Sequence, residues 1–443
     1  MVESLAEQSL PLSPEDLKDA WVVLSADEQK GGFELLARED QEEFFVGLTA
    51  REQSALLLAL PPAKRRSLIR LLAPDDAADL IQAVEPEQRE GLIALFDAPM
   101  REEVTALLAY SEDAAGGLMS TRFARVRPEM TVGEAILYLR RQARTKVETL
   151  AYVYVLNEQQ HLLGVVSLRE LFAAESATRV KDMMHTDVLF VRADQDQESV
   201  SHVFSDNGLV AVPVVDAEGR VQGIVTIDDI VDVVQEEATE DIQKMGGTEA
   251  LDAPYLAVNL GEMVRKRAGW LSALFLGEML TASAMAHFEG EIARAVVLAL
   301  FVPLIISSGG NSGSQATTIV IRAMALGELR LRDFWRVARR EIAAGVVLGL
   351  ALGSIGFLRI VMWQAVTPLY GPHYMLVAMT VAGSLVGVVT FGTLAGSLLP
   401  FVLKRLGFDP ASASAPFVAT LVDVTGLVIY FSVASMILKN TLL

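Results

Sequence analysis

The 443 residues exceed what one ordinary core accommodates and call for roughly two to four folding units. The absence of cysteine excludes disulfides, thiolate nucleophiles and Cys-ligated zinc. The net charge of −19 is unevenly placed: residues 1–268 carry 48 acidic against 26 basic side chains, and residues 269–443 carry 8 against 11 among long apolar runs, so a soluble acidic half, which repels nucleic acid and anionic lipid and suits a cation, precedes a membrane half.

The first thirty residues lack the basic start and apolar core of a signal peptide, so the membrane half is expected to be inserted by its own helices. Apolar residues then recur every twelve positions, at Leu12, Leu24, Leu36, Leu48, Leu60, Leu72, Val84, Phe96 and Leu108. Ser13 with Asp16, Ser25 with Glu28, and Thr49 with Glu52 each set a capping hydroxyl three residues before an acid. Pro14, Pro74 and Pro86 stand at first helical positions. Each unit reads as a short helix burying one face against its neighbours, which predicts a small α-solenoid over 10–115. Asp75, Asp76 and Asp79 start one of these helices, either to complement its dipole or to bind metal.

A second, longer repeat begins at Met119. Gly164-Val-Val-Ser-Leu-Arg-Glu-Leu171 matches Gly223-Ile-Val-Thr-Ile-Asp-Asp-Ile230, and Met119-Ser-Thr matches Met184-His-Thr. A β-rich run precedes each glycine, at Tyr152–Leu156 and Val210–Val215, so each copy reads as a small α/β unit. The pair resembles tandem CBS domains over about 119–235. That resemblance implies clefts for adenine nucleotides, with the ribose-holding positions falling on Thr226 and Asp229 in the second copy and on Ser167 and Glu170 in the first. Glu170 replaces the usual Asp. Tyr152, Arg169 and Glu170 would line the first cleft, which makes ATP a candidate cofactor. Helix N-capping is an equally good use of Ser167 and Thr226.

The second copy ends in acids: Asp228, Asp229, Asp232, Glu236, Glu237, Glu240 and Asp241. On a helix Asp229, Asp232, Glu236 and Glu240 share a face, and like charges at that spacing oppose the helix. A hard divalent cation would relieve them; a solvated face is the alternative.

Five apolar stretches follow, near 269–288, 295–321, 342–366, 374–403 and 416–438, each long enough for a hydrocarbon core of about 30 Å. Arg265 to Arg267, then Arg330, Arg332, Arg336, Arg339 and Arg340, then Lys404 and Arg405 occupy alternate loops. The positive-inside rule therefore predicts a cytoplasmic N-terminus and an external C-terminus. Ser307 to Gln315, with Gly310, Asn311 and Ser314, is a run without an apolar side chain inside the second stretch. It must line water or pack tightly on another helix. Asp423 lies inside the fifth stretch, where an ionisable group is functional by default unless it pairs with Arg359, the one basic residue inside these spans. Glu278 in the first stretch poses the same question.

Taken in order, solenoid, CBS-like pair, acidic connecting helix and five spans resemble the MgtE family of magnesium transporters along almost the whole chain. Pro303 to Ala323, Val418 to Gly426 and Glu237 to Ile242 carry the resemblance most specifically. It implies a multidomain membrane protein: a helical domain over 1–115, CBS copies over 116–176 and 177–235, a connecting plug helix over 236–268 and an all-α pore domain over 269–443. It further implies a homodimer in a cell inner membrane whose second and fifth helices form the pore. Asp423 would bind the ion there with Gly310, Asn311, Ser314 and Thr420. A gate closed by internal Mg²⁺ would use Asp75 and Asp79, Asp229 and Asp232, and Glu237, Glu240 and Asp241 facing Asp409. Gly208 stands where the family can show an acid, and Ser314 where Asn is common.

A carrier of another divalent metal, such as Co²⁺ or Mn²⁺, would share these features. A membrane-anchored nucleotide sensor that conducts nothing would account for the CBS-like pair and leave the polar run unexplained. An enzyme is not expected: the five histidines lack ligand or triad spacing, and there is no phosphate-binding Gly-Lys-Ser/Thr loop.

Overall fold

The computed structural model describes residues 12–144, 147–251, 253, 255–256, 258–439 and 441–442. The first eleven positions of the predicted helical domain, and positions 252, 254 and 257 of the predicted connecting helix, lie outside the described residues. The chain divides into two units, 1–237 and 238–443, taken here in turn.

The first unit opens with short helices: α1 (Pro14–Ala20), α2 (Ala26–Leu35), α3 (Arg38–Val46), α4 (Ala50–Ala59), α5 (Pro62–Ile69), α6 (Pro74–Gln82), α7 (Pro86–Ile93) and α8 (Ala98–Leu107). Their starts are chemical. Thr49 Oγ1 accepts from the Glu52 backbone N–H at 3.4 Å while the Glu52 carboxylate accepts from the Thr49 N–H at 3.0 Å, a cap worth about 1 kcal/mol. The residues of the twelve-residue repeat end helices in extended conformation, as Leu36 and Leu60 do, and turn inward. Leu24, Leu36, Leu48, Leu60, Leu72, Val84 and Phe96 are all buried in one core. Alternate helices pack on each other, α2 on α4, α4 on α6 and α6 on α8, which is the stacking a one-faced helix requires.

After α9 (Ala115–Leu118) come β1 (Arg125–Val126), α10 (Val132–Gln142), β2 (Tyr152–Leu156), β3 (Leu162–Ser167) and α11 (Leu168–Ala173). The second copy repeats them as α12 (Val180–Met183), β4 (Val191–Arg192), α13 (Gln197–Asn207), β5 (Ala211–Val215), β6 (Val221–Thr226) and α14 (Ile227–Met245). Each copy has a three-stranded sheet whose first pair is parallel and second antiparallel. The structure also explains why the Met and Gly positions repeat together. The segment entering each copy pairs with the last strand of the other: Ser120 N–H donates to the Ile224 carbonyl at 2.8 Å, and Val165 N–H to the His185 carbonyl at 2.9 Å. A Cβ on Gly223 would meet the Ser120 carbonyl at 2.6 Å and one on Gly164 the His185 carbonyl at 2.7 Å, so both approaches need glycine. Phe123, Tyr154 and Leu156 of one copy share a core with Ala211, Val215 and Ile224 of the other.

In the second unit the predicted single helix over 236–268 is replaced by a break. Gly247 has φ +74°, its N–H donates to the Lys244 carbonyl at 2.9 Å, and Thr248 N–H donates to the Gln243 carbonyl at 3.2 Å. This left-handed cap ends α14 at Met245, and the described residues of 246–259 are not helical. Asn259 then caps α15 (Leu260–His287), accepting from the Glu262 N–H at 2.9 Å. Arg265 to Arg267 and the first predicted span thus belong to one helix. After α16 (Glu289–Arg294) and a 3₁₀ turn (Val296–Phe301) follow α17 (Val302–Ala325), α18 (Phe334–Val366), α19 (Tyr374–Arg405) and α20 (Ala415–Leu438).

Among the described residues four helical stretches are long and apolar enough to cross a membrane: 296–325, 331–366, 374–405 and 415–438. The first predicted span differs from them in composition. Its helix α15 has the length, at 28 residues, and carries Glu262, Arg265, Lys266, Arg267 and Glu278. Helix α19 packs on α17, α18 and α20 at once. Glycines make that possible: a Cβ on Gly349 of α18 would lie 2.6 Å from the Val386 Cα. Gly349→Val forces α18 off α19, and the expected result is loss of the monodisperse peak in detergent size-exclusion chromatography.

Candidate functional site

Two groups of predicted residues fall in the first unit. Pro74 opens α6 and places Asp75 and Asp76 in its first turn, with Asp79 one turn on. Asp75 is only 7% exposed, and its Oδ1 has no hydrogen-bond partner. Burial raises its carboxyl well above the usual range, and Asp229, Glu148 and Asp76 push it further. Asp79 is raised to about 8, by burial first and then by Asp76, Glu112, Asp229 and Glu236. Asp229 is raised to about 7 by burial, against the Thr226 hydrogen bond and with Asp228 and Glu148 adding to it.

The structure therefore gathers Asp75, Asp79 and Asp229 and adds Glu112, Glu148, Asp228 and Glu236. Glu148 lies outside both repeats' periodic positions, so no pattern in the sequence marks it. Asp232 is exposed on α14. No three acidic or histidine side chains among the described residues are gathered closely enough to hold a metal ion. The arrangement is instead a concentration of negative charge around the buried Asp75 and the half-buried Asp79 and Asp229, with the other acids exposed at its edge.

The first nucleotide-type cleft is already engaged. Glu170 accepts from the Ser167 N–H at 2.9 Å, completing the N-cap of α11, and its other oxygen lies 2.7 Å from His185 Nε2. The His185 bond, then the Ser167 bonds, pull its carboxyl down to about 2. Thr226 and Asp229 make the same capping pair at α14, with Thr226 Oγ1 donating to Asp229 at 2.8 Å. Tyr152 is half-buried at the start of β2 and Arg169 is exposed on α11.

Along α14, Glu237 accepts from the buried Gln197 Nε2 at 2.7 Å. Asp241 is half-buried. Glu240 and Asp409, the acids expected to face each other across a cation, do so across Lys244. The ammonium pairs with Glu240, one turn away, and donates to Asp409 Oδ2 at 2.6 Å. Burial works against the charge on Lys244, and the hydrogen bonds to Asp409 and Glu240 outweigh it. Asp409 Oδ1 meanwhile accepts from the Ala411 N–H at 2.8 Å, holding the turn that leads into α20. Lys244 was missed because an (i, i+4) Glu–Lys pair looks like ordinary helix support.

The polar run of α17 has two faces. Gly309, Gly310, Ser312 and Gly313 are buried, and Ser307, Asn311 and Gln315 are exposed on the other side. The buried face fits the close-packing reading of this run. A Cβ on Gly313 would meet Val418 Cγ1 at 2.7 Å, Gly310 sits against Ala419, and Ser314 Oγ donates to the Ala415 carbonyl at 3.3 Å, so α17 lies close on α20. Thr420 Oγ1 donates within its own helix to the Pro416 carbonyl at 3.1 Å. Asp423 is half-buried on α20. Arg359 does not neutralise it: the guanidinium lies 4.0 Å over the Trp363 ring and 3.5 Å from the Tyr370 hydroxyl.

Comparison with known proteins finds the profile of the MgtE family, described as divalent cation transporters, over residues 302–433. The MgtE intracellular N domain matches residues 12–113, and the CBS domain matches 115–177 and 180–236. Magnesium transporter MgtE of Thermus thermophilus is 44% identical over 336 residues, 76% of this chain and 72% of that protein. Magnesium transporter MgtE of Enterococcus faecalis is 35% identical over 337 residues, again 76% and 72%. A crystal structure of the cytosolic domain of the Mg²⁺ channel MgtE in complex with ATP is 41% identical and matches 52% of this chain and 93% of its own at a TM-score of 0.47. With a 44% identical relative matched over 72% of its length, and with the N-domain, CBS and transporter profiles following one another along the sequence, the chain belongs to the MgtE family.

Proposed function

We propose that this chain is a multi-pass membrane protein that transports Mg²⁺, with conduction in the helices of its second unit and control in its acids. It is a transport protein, not an enzyme. The observation that carries the reading is the exposed polar face of α17, Ser307, Asn311 and Gln315, on a helix packed against α20, which bears Asp423. Such a face is unfavourable against lipid and favourable against water.

In this reading Asp423 holds a hydrated ion, with Asn311, Ser314 and Thr420 offering oxygens beside it and Gly310 leaving room for it. Mg²⁺ gives up water reluctantly, so outer-shell hydrogen bonds suit it. Two copies of the chain facing each other would close the path, which is why the exposed polar face favours a homodimer. The arginine-rich loops argue for a cytoplasmic N-terminus and an external C-terminus in a cell inner membrane. Inward movement of a divalent ion gains about 4.6 kcal/mol per 100 mV, so the membrane potential suffices as a driving force.

The acids of both units are read as the sensor of internal Mg²⁺, with the break after Met245 separating α14 from α15 instead of a single plug helix. Lys244 marks one cation position by occupying it, and a divalent ion there displaces it. Lys244→Met accordingly lowers the internal Mg²⁺ that halves uptake, by about three- to tenfold; an unchanged value assigns the pair to packing alone. An adenine nucleotide in the first CBS cleft, against Tyr152 and Arg169, has to take Glu170 from His185. The experiment that tests the whole reading is Mg²⁺ uptake by proteoliposomes with the ion varied independently on each side. Absence of saturable uptake at every internal concentration overturns it, and equal uptake of Co²⁺ or Mn²⁺ in competition assigns a broader cargo.

A further inference from the structure

Glu278 is the ionisable residue of the membrane half that the family resemblance leaves without a role. Helix α15, which carries it, is fixed against α20 at two levels, Trp270 and Gly277. Trp270 Nε1 donates to Ser414 Oγ at 3.1 Å. The Trp270 and Phe417 rings lie 6.4 Å apart. About two turns along α15 from Trp270, a Cβ on Gly277 would meet Thr420 Cγ2 at 2.9 Å, so the missing side chain lets the two helices close.

That approach brings the next residue, Glu278, within hydrogen-bonding reach of the Asp423 carboxyl, one turn beyond Thr420. Glu278 is exposed on this chain, and Asp423 is half-buried. Arg359, the basic residue inside the apolar stretch 342–366, is engaged elsewhere, with Trp363 and Tyr370. Thr281, three residues on from Glu278 on the same helix, has a buried hydroxyl with no hydrogen-bond partner.

Two carboxyl groups in contact between apolar helices repel unless something positive lies between them. Among the described residues no basic side chain pairs with either acid, and the transported ion supplies the positive charge. We infer that Glu278 is a second acid of the ion path, acting from α15 beside Asp423 and setting how strongly the path prefers a divalent cation. The inference rests on the transport reading above.

The chemistry is outer-shell. A hydrated Mg²⁺ presents water hydrogens over a wide surface, and carboxylates from two adjacent helices accept them together without entering the coordination shell. Attraction to a fixed negative charge scales with the charge of the ion, so a second carboxylate favours a divalent over a monovalent cation. Glutamine at 278 keeps the shape of the side chain and a hydrogen bond to Asp423 while removing the charge.

The test is uptake of Mg²⁺ and of Na⁺ by proteoliposomes holding the full-length chain, with wild type, Glu278→Gln, Glu278→Asp and Asp423→Asn compared. The expected result for Glu278→Gln is a rise of about tenfold in half-saturating Mg²⁺, a maximal rate within about twofold of wild type, and a measurable Na⁺ leak. Glu278→Asp restores the low half-saturation. If Glu278→Gln and Glu278→Asp both match wild type, or are equally impaired, Glu278 is a packing residue and the inference is overturned. Uptake that persists in Asp423→Asn overturns the pore reading itself, which is a different failure.

Discussion

Asp423→Asn is expected to reduce Mg²⁺ uptake at least 100-fold, in order of magnitude, while the protein still elutes as a folded species. The substitution preserves volume and hydrogen-bonding capacity, and α20 holds position through Val418 and Val422, which are fully buried. What is lost is the negative charge. A divalent cation crossing an apolar layer needs fixed charge near its path, and Arg359 offers no compensation that the substitution would release. Uptake by proteoliposomes with a Mg²⁺-sensitive dye inside measures the effect. Rates within threefold of wild type would remove Asp423 from the path.

The second large effect is in the acid cluster of the first unit. Asp79 and Asp229 are held near 8 and 7, against an ordinary value of 3.8. The folded unit therefore binds more protons than the unfolded chain between about pH 4 and 8. Its stability is full below that window and falls as pH rises through it. Together the two groups forfeit on the order of 10 kcal/mol by pH 8, comparable with a typical folding free energy. Amide hydrogen exchange on the full-length protein reads this locally. With divalent cations chelated, α6 and the start of α14 lose protection between pH 6 and 8; millimolar Mg²⁺ restores it by binding the charged form. Asp79→Asn with Asp229→Asn restores it without Mg²⁺, flattens the pH dependence, and raises the internal Mg²⁺ needed for inhibition about tenfold or more. Exchange that is indifferent to Mg²⁺ in the wild type would make these acids a structural feature and not a sensor.

Legibility varied by feature. The twelve-residue repeat was readable because every unit must bury the same face: its positions from Leu24 to Phe96 are buried, and Leu12 and Leu108 at its ends are partly so. The CBS-like pair was readable because Gly164 and Gly223 repeat a steric demand, and Met119 and Met184 the segment that imposes it. A single connecting helix over 236–268 is what the family resemblance implies, and Gly246-Gly247, where a left-handed cap ends α14, divides it.

The sequence by itself determined the order of parts, the faces of the solenoid helices, the membrane half and the isolation of Asp423 in an apolar run. Those are local or periodic properties, and burial has to satisfy them wherever the segment ends up. Only the tertiary structure decided which charges meet. Glu148 joins the acids of α6 and α14 from a loop, Lys244 sits between Glu240 and Asp409, and Glu278 reaches Asp423 from another helix. Electrostatic energy depends on distance in space, and residues 145 positions apart along the chain, as Glu278 and Asp423 are, carry no mark of it in their spacing.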